Sequence, residues 1–507
     1  MAPLLILAKW LPVLVATGAL ADINLPPIPK DRTTPVQQRI AIGGPNTINI
    51  GWSTFEKLDR PCVQYGLLPE FLFWEACSDS SLTYPTSRTY SNVVTLGHLL
   101  PATTYYYKIG STNSSIEHFF SPREAGSEEP FTIAAVIDMG VYGADGLTIP
   151  SDATKRDTIP KIDPDLNHTT IWQLAQSIND YDFVTHNGDF AYADQWAEVP
   201  SLVSDPVEAY ESILEQFYDQ LAPIAGRKAY MVGPGNHDAD CTENNFTPDV
   251  SCPVGQTNFT DFVNRFGRMM PKPFPTRSLN PTARINSEKA MSLASPPFWH
   301  SFDYGMVHFI TINTETDFAN APDAPVPGGS VNLDSGPFGF ANQQLEFIKA
   351  DLASVDRRIT PWVVLNGHRP WVTTGGSGSI CVSCQAAFET LMYTYGVDLA
   401  IFGHVHNAQR SLPVFNNTAD SNGMNDPKAP MYIIAGGAGN IEGLAAVGSN
   451  VSFIPFAYAD DFSFATVSFL DRNHLRVNFI RSSTGEVLDS SVLYKSHREQ
   501  FVVQTPP

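Results

Sequence analysis

Positive charge is scarce in this chain of 507 residues: 31 lysines and arginines face 52 aspartates and glutamates, giving a net charge of −21. A protein that tracks a nucleic-acid backbone needs a basic face, so this balance excludes that class. It also repels small anions at long range, so a phosphate-handling site would need strong local positive charge, which bound metal ions supply. Long apolar runs are absent beyond the first 21 residues, which argues against stable membrane insertion. Low-complexity tracts and internal repeats are also missing. With 43% hydrophobic and 16% charged residues the composition is globular, and the length calls for two or three domains.

The segment Met1 to Ala21 is apolar and ends in Ala19-Leu20-Ala21, a small-x-small cleavage pattern, with Asp22 as the expected mature start. Two prolines and Lys9 make it a poor bilayer span, so it reads as a signal for secretion or for delivery to a vacuole. Asn-x-Ser/Thr acceptors at Asn113, Asn167, Asn245, Asn258, Asn416 and Asn450 fit an exported surface. Cysteines are few, and the six fall as near neighbours: Cys62 with Cys77, Cys241 with Cys252, and Cys381 with Cys384. In an exported chain, local disulfides are the simplest pairing. Cys381-Val-Ser-Cys384 has the spacing of a redox or zinc pair, but no partner pair accompanies it, which favours a loop clasp.

What is present falls into blocks. From Pro35 to Phe120 apolar residues alternate with period two, as in Ile40, Ile42, Ile48, Ile50 and Trp52. Such alternation predicts a β-sandwich. The stretch around Leu99, Pro101 and Tyr105 resembles the tyrosine corner of fibronectin type III domains. This domain is expected over 22–125, ending in a polar linker that runs from Ser121 to Pro130.

Beyond Pro130 apolar runs predict buried strands at 131–137, 181–185, 228–232, 306–312, 361–365 and 397–402. Helical patterns at 170–178, 206–221 and 342–355 separate several of them. The alternation predicts a layered α/β domain over 130–428, with strands of 429–507 completing it. Ligands of such sheets gather beyond the carboxyl ends of the strands.

Seven residues able to bind metal begin at such ends. They are Asp138, Asp189, Tyr192, Asn236, His368, His404 and His406, most of them with a glycine for a tight turn. Carboxylates and imidazoles together suit iron, zinc or manganese. Asp189, with two oxygens and a central place, is expected to bridge. One ion is assigned Asp138, Asp189, Tyr192 and His406; the other is assigned Asp189, Asn236, His368 and His404. A phenolate ligand favours a ferric ion. Two ions roughly 3.5–4 Å apart can share a hydroxide that attacks phosphorus in line.

This series of motifs resembles that of the purple acid phosphatases of the metallophosphoesterase superfamily, in particular the large plant and fungal members. The resemblance covers most of the chain. It implies an amino-terminal fibronectin III-like sandwich followed by a metallophosphoesterase domain, a layered β-sandwich flanked by helices. It also implies hydrolysis of small phosphate monoesters, with Fe(III) and a divalent Zn, Fe or Mn ion as cofactors. Large plant enzymes carry a histidine-rich loop after the fourth motif, but residues Arg369 to Cys381 contain no histidine. His237, in Gly235-Asn236-His237-Asp238, is therefore assigned substrate contact and proton donation.

Phosphodiester or nucleotide pyrophosphate cleavage is the alternative on the same metals, and a binding protein on an inactive scaffold is the rival from another class. His186, Asp194, Asp238 and Arg369 each have a structural reading beside a functional one. His308, inside an apolar strand, reads as a core residue.

Overall fold

Apolar alternation at the amino-terminal end produces a sandwich whose inner faces bury Ile40, Ile42, Ile48, Ile50 and Trp52. One sheet contains Val36–Gly44, Thr47–Thr54, Ser81–Leu82 and Tyr90–Leu96. The other orders Trp74–Cys77, Cys62–Gly66, Thr104–Ile109 and Ile116–Phe120 side by side. The tyrosine corner forms: the Tyr105 hydroxyl accepts a hydrogen bond from Leu100 N at 2.9 Å. In this computed structural model the described residues are 23, 25–110, 114–142, 168–198, 205–239, 252–272, 274–322, 338–340, 342–497 and 501–507. The leader expected at 1–21 lies outside them, as do Cys241, Asn113, Asn167 and Asn245. The other acceptors, Asn258, Asn416 and Asn450, are exposed. Cys62–Cys77 and Cys381–Cys384 are disulfides, and Cys252 is also disulfide-bonded.

The first sandwich sheet does not stop at its own edge. Val36–Gly44 lies parallel to Ala229–Gly233, with Ile40 opposite Ala229, so the sheet continues into the α/β part. It runs to ten strands, through Ala229–Gly233, Phe183–Asn187 and Phe131–Ala135 to the antiparallel Ser463–Phe469, His474–Arg481 and Val487–Tyr494. A second large sheet holds Val307–Thr311, Trp362–Asn366, Leu399–Phe402 and Met431–Ala435 in parallel, with antiparallel strands at its margins. Aromatic rings fill the space between the two: Phe183 lies 5.3 Å from Phe309, and Phe131 5.0 Å from Tyr304. Burial of such rings is the main source of stability for stacked sheets.

The observed strands match the expected apolar runs to within a residue or two, because hydrophobic runs mark burial rather than hydrogen-bonded ends. The helices Thr170–Gln176, Pro206–Ala225 and Gln343–Ser354 also lie where periodicity placed them. Helix Pro281–Leu293 escaped the sequence reading. Asn280 caps it, with its side chain accepting from Thr282 N at 2.9 Å, and Pro281 opens it. Its weak apolar face hid it, since it buries only Ala283, Ser287 and Ala290. Among the described residues, no helix is long and apolar enough to cross a membrane.

His308 is a core residue, as its strand implied, but it is not an apolar one. Its Nδ1 lies 2.7 Å from Asp303 and its Nε2 2.8 Å from Asp351. Burial disfavours the charged ring, yet Asp351 and Asp303 outweigh burial and hold its pKa up at about 10. A histidine raised in the folded state stabilises below its ordinary value of 6.5, and the contribution is lost as pH climbs through about 10. Thermal unfolding measured from pH 6 to pH 10 is thus expected to show falling stability. In His308→Gln the part of that fall due to His308, on the order of a few kcal/mol, should disappear. Parallel slopes for the two proteins would contradict it.

Candidate metal centre

Each strand that approaches the crevice ends in a turn that reverses sharply, and the backbone shows how. Asp138, Asp189, Tyr192 and His404 have φ of 62°, 57°, 51° and 64°, the left-handed region that non-glycine residues seldom occupy. Contacts between the turns hold them there. Met139 N and Gly140 N donate to Asp189 O and Phe190 O at 3.3 and 2.8 Å. His404 N donates to Asp138 Oδ2 at 2.8 Å, and Gly403 N to His368 O at 3.0 Å. The Asp238 carboxylate accepts from Gly235 N, Asp189 N and Phe190 N at 3.0, 2.9 and 3.3 Å. Asp238 therefore ties two ligand turns together and does not touch the His237 ring.

The seven side chains singled out from the sequence meet in one buried place. Tyr192 Oη lies 3.2 Å from Asp138 Oδ1, 3.3 Å from Asp189 Oδ2 and 2.8 Å from His406 Nε2. His368 Nε2 lies 3.0 Å from both Asp189 Oδ2 and Asn236 Oδ1. Donor atoms of Asp189, His368 and His404 fall within 4.8 Å of one another. Asp189 Oδ2 thus belongs to both groupings.

The donor set fits metal ions. Three polar atoms surround the Tyr192 hydroxyl, and two oxygens face His368 Nε2 while its Nδ1 donates to Asn187 O at 3.0 Å. A cation satisfies such a convergence of buried oxygen and imidazole nitrogen atoms. Asp138 and Asp189 are fully buried carboxylates. Burial, and Asp189 beside it, push Asp138 well up despite His368. Burial also acts on Asp189, but His368 and His237 hold it well below the usual range. Burial keeps His404 and His406 neutral, with Arg369 adding to the effect at His404, so their lone pairs are available.

His237 stands at the rim of this group. Its Nδ1 lies 2.6 Å from Asp194 Oδ2, and its ring packs 4.3 Å from that of Tyr192. Burial lowers its pKa, but Asp194 and Asp189 raise it more, and the ring is held as an imidazolium. Asp194 is therefore the partner of His237. His186 pairs with Tyr230 Oη at 2.7 Å, and burial drives its pKa down to about 3. Arg369 joins Glu315 at 2.7 Å and meets His404 Nε2 at 3.1 Å.

Sequence reasoning missed Glu442, whose oxygens lie 4.0 Å from His237 Nε2 and 3.8 Å from His406 Nδ1. Gln195 Nε2 steadies it with a 2.7 Å hydrogen bond. Asn440, whose Nδ2 donates to Asp138 O at 3.2 Å, and Glu315 were missed too. The strand-end rule that found the other residues reaches Asn440 and Glu442, since their glycine-rich loop follows Met431–Ala435.

Three family descriptions match in order along the chain. "Purple acid Phosphatase, N-terminal domain" covers 35–123, "Calcineurin-like phosphoesterase" 164–408 and "Iron/zinc purple acid phosphatase-like protein C" 429–490. Acid phosphatase A of Cryphonectria parasitica is 59% identical over 99% of both chains. An acid phosphatase of Aspergillus ficuum is 29% identical over 79% of this chain and 75% of its own. The purple acid phosphatase PPD1 of yellow lupin (Lupinus luteus) superposes with a TM-score of 0.65 at 24% identity. That match covers 92% of this chain and 75% of the lupin one, a likeness of fold.

The close approach of the turns sets a testable limit. Gly188 has φ 98°, and a Cβ there would lie 2.6 Å from Gly235 Cα and from His368 Nδ1. Gly188→Ala should therefore displace His368 and lower metal content, measured by elemental analysis of the folded protein. Full metal loading in that variant would show that the turns are more yielding than their packing implies.

Proposed function

Because the chain belongs to the purple acid phosphatase family, we propose that its seven converging side chains hold an Fe(III) ion and a divalent Zn, Fe or Mn ion for the hydrolysis of small phosphate monoesters. The observation that carries this reading is the position of Asp189 Oδ2, shared between the Tyr192 grouping and the His368 grouping. Asp138, Tyr192 and His406 would hold the ferric ion with Asp189; Asn236, His368 and His404 would hold the divalent one with it. When bound, the ions supply Lewis acidity toward the phosphoryl oxygens and make a water molecule acidic enough to attack phosphorus.

The chain's own residues do the rest. Asp194 fixes the His237 ring through Nδ1, which leaves Nε2, 4.0 Å from Glu442, as the nitrogen that would carry the transferable proton. A leaving alkoxide needs a proton, and an imidazolium held up by Asp194 and Asp189 can give it one. Glu442 lies near both His237 and His406, 4.0 Å from the one ring and 3.8 Å from the other. The burial of Asp138, Asp189 and His368 excludes bulk water and strengthens the electrostatic interactions among them. Export is part of the proposal. It rests on the small-x-small apolar leader of residues 1–21, the exposed acceptors Asn258, Asn416 and Asn450, and the disulfides.

Visible absorption of the purified protein tests the iron assignment, because a ferric phenolate has a charge-transfer band. Tyr192→Phe should lose that band, and an unchanged spectrum would remove Tyr192 from the ligand set. Asn236→Ala should retain iron, lose the divalent ion and lower kcat on an aryl phosphate by roughly 10²-fold or more. Comparing an aryl monoester with the matching diester distinguishes the reaction class, and preference for the diester would overturn the monoesterase reading.

A further inference from the structure

Away from the metal centre, the helices Pro206–Ala225 and Thr260–Phe266 meet the amino-terminal sandwich through a group of buried polar side chains. Tyr84 and Thr86 come from the sandwich, between its strands Ser81–Leu82 and Tyr90–Leu96. Tyr84 Oη donates to Glu211 Oε2 at 3.0 Å and to Asp261 Oδ1 at 3.1 Å, while Thr86 Oγ1 donates to Glu211 Oε1 at 3.1 Å. One hydroxyl of the sandwich thus spans two buried carboxyl groups, one from each helix.

The two acids are not equivalent. Arg265 Nε donates to Asp261 Oδ1 at 2.8 Å and compensates its charge, whereas Glu211 is bonded only to neutral hydroxyls. The other nearby cations are engaged elsewhere: Arg88 Nε lies 3.1 Å from Glu215 Oε1, and Arg39 bonds to Gln37 O and Ser91 Oγ. A buried carboxylate without a paired cation is costly, so Glu211 is kept as the neutral acid. Burial, and Asp261 next, push its pKa up to about 8, against the opposing effects of Tyr84, Arg265 and Thr86. Glu215, one turn further along the helix, is raised to about 7 by burial despite Arg88 and Arg265. Burial pushes the hydroxyls of Tyr84, Tyr210 and Tyr218 well above 10, so they stay neutral across this range.

Ionising Glu211 sets a second negative charge across Tyr84 from Asp261, in a place that water does not reach. Parting the sandwich from the helices relieves that cost, because it hydrates the carboxylate. A carboxyl raised in the folded state stabilises below its ordinary value of 4.5, and the contribution is lost as pH rises through about 8. The effect has a path to the metal centre. Phe262, next to Asp261, stacks 5.7 Å from Phe190, which stands between Asp189 and Tyr192.

We propose that the Tyr84–Glu211–Asp261 contact is a pH-dependent latch between the sandwich and the α/β domain, closed in acid and released as the medium becomes alkaline. The latch is independent of the reaction the metal centre performs.

Hydrogen exchange of the full-length, metal-loaded protein at pH 5, 6, 7 and 8, corrected for the intrinsic effect of pH, tests it. In the wild type, protection of the Tyr90–Leu96 amides should fall with pH relative to that of Val307–Thr311 in the other large sheet. Glu211→Gln, which keeps the shape of the neutral acid, should remove about tenfold of that fall per pH unit between pH 5 and pH 7. Tyr84→Phe should lower protection of the same amides about tenfold at pH 5 and little at pH 8, where the latch is already open. Parallel profiles for wild type and Glu211→Gln would overturn the latch. So would a change shared equally by Val307–Thr311, which would mark a difference in overall stability. Equal losses at pH 5 and pH 8 in Tyr84→Phe would overturn it too, since the hydroxyl would then be a support indifferent to pH.

Discussion

One carboxylate oxygen, Asp189 Oδ2, connects the two halves of the site. It lies 3.3 Å from Tyr192 Oη and 3.0 Å from His368 Nε2, so the geometry of either group depends on where Asp189 is held. Asp189 Oδ1 accepts from His237 N at 2.8 Å, while the Asp189 N–H is held by Asp238. Both oxygens and the amide are therefore committed. Such full engagement turns a flexible acid into a fixed reference point for the other residues.

The cost of this arrangement is backbone strain. Four residues of the centre sit in left-handed turns, each unfavourable by roughly 1–2 kcal/mol for a residue with a Cβ. Bonds between turns help to offset the strain, as the links from Met139 to Asp189 and from His404 to Asp138 show. Removing any one turn loosens its neighbours, which makes the site a cooperative unit.

The sandwich at the amino-terminal end contributes to the same unit. Val36–Gly44 lies alongside Ala229–Gly233, the strand that leads into Asn236 and His237. Tyr107 Oη donates to Gly226 O at 2.6 Å, just before that strand, and Tyr84 Oη donates to Glu211 and Asp261 at 3.0 and 3.1 Å. A separate module on a linker would leave the site untouched. Here its sheet and tyrosines brace the segment that presents the third motif.

Chain order alone determined much of this. Apolar runs located the strands because burial is written in composition, and strand-end glycines located the turns because only they tolerate the close approach seen at Gly188. The seven donors were legible for the same reason. Gln195 and Glu315 were not, because a carboxylate or amide in a loop has no periodicity and its partners are distant in sequence. The charge on His308 was hidden too, since it depends on Asp351, 43 residues away. The continuous ten-stranded sheet, Asp238 as a tie between turns, and Arg369 set against both Glu315 and His404 arise only from folding. Sequence specifies which chemical groups stand at the strand ends; the tertiary structure decides which of them face one another, because those distances depend on how strands remote in sequence pack.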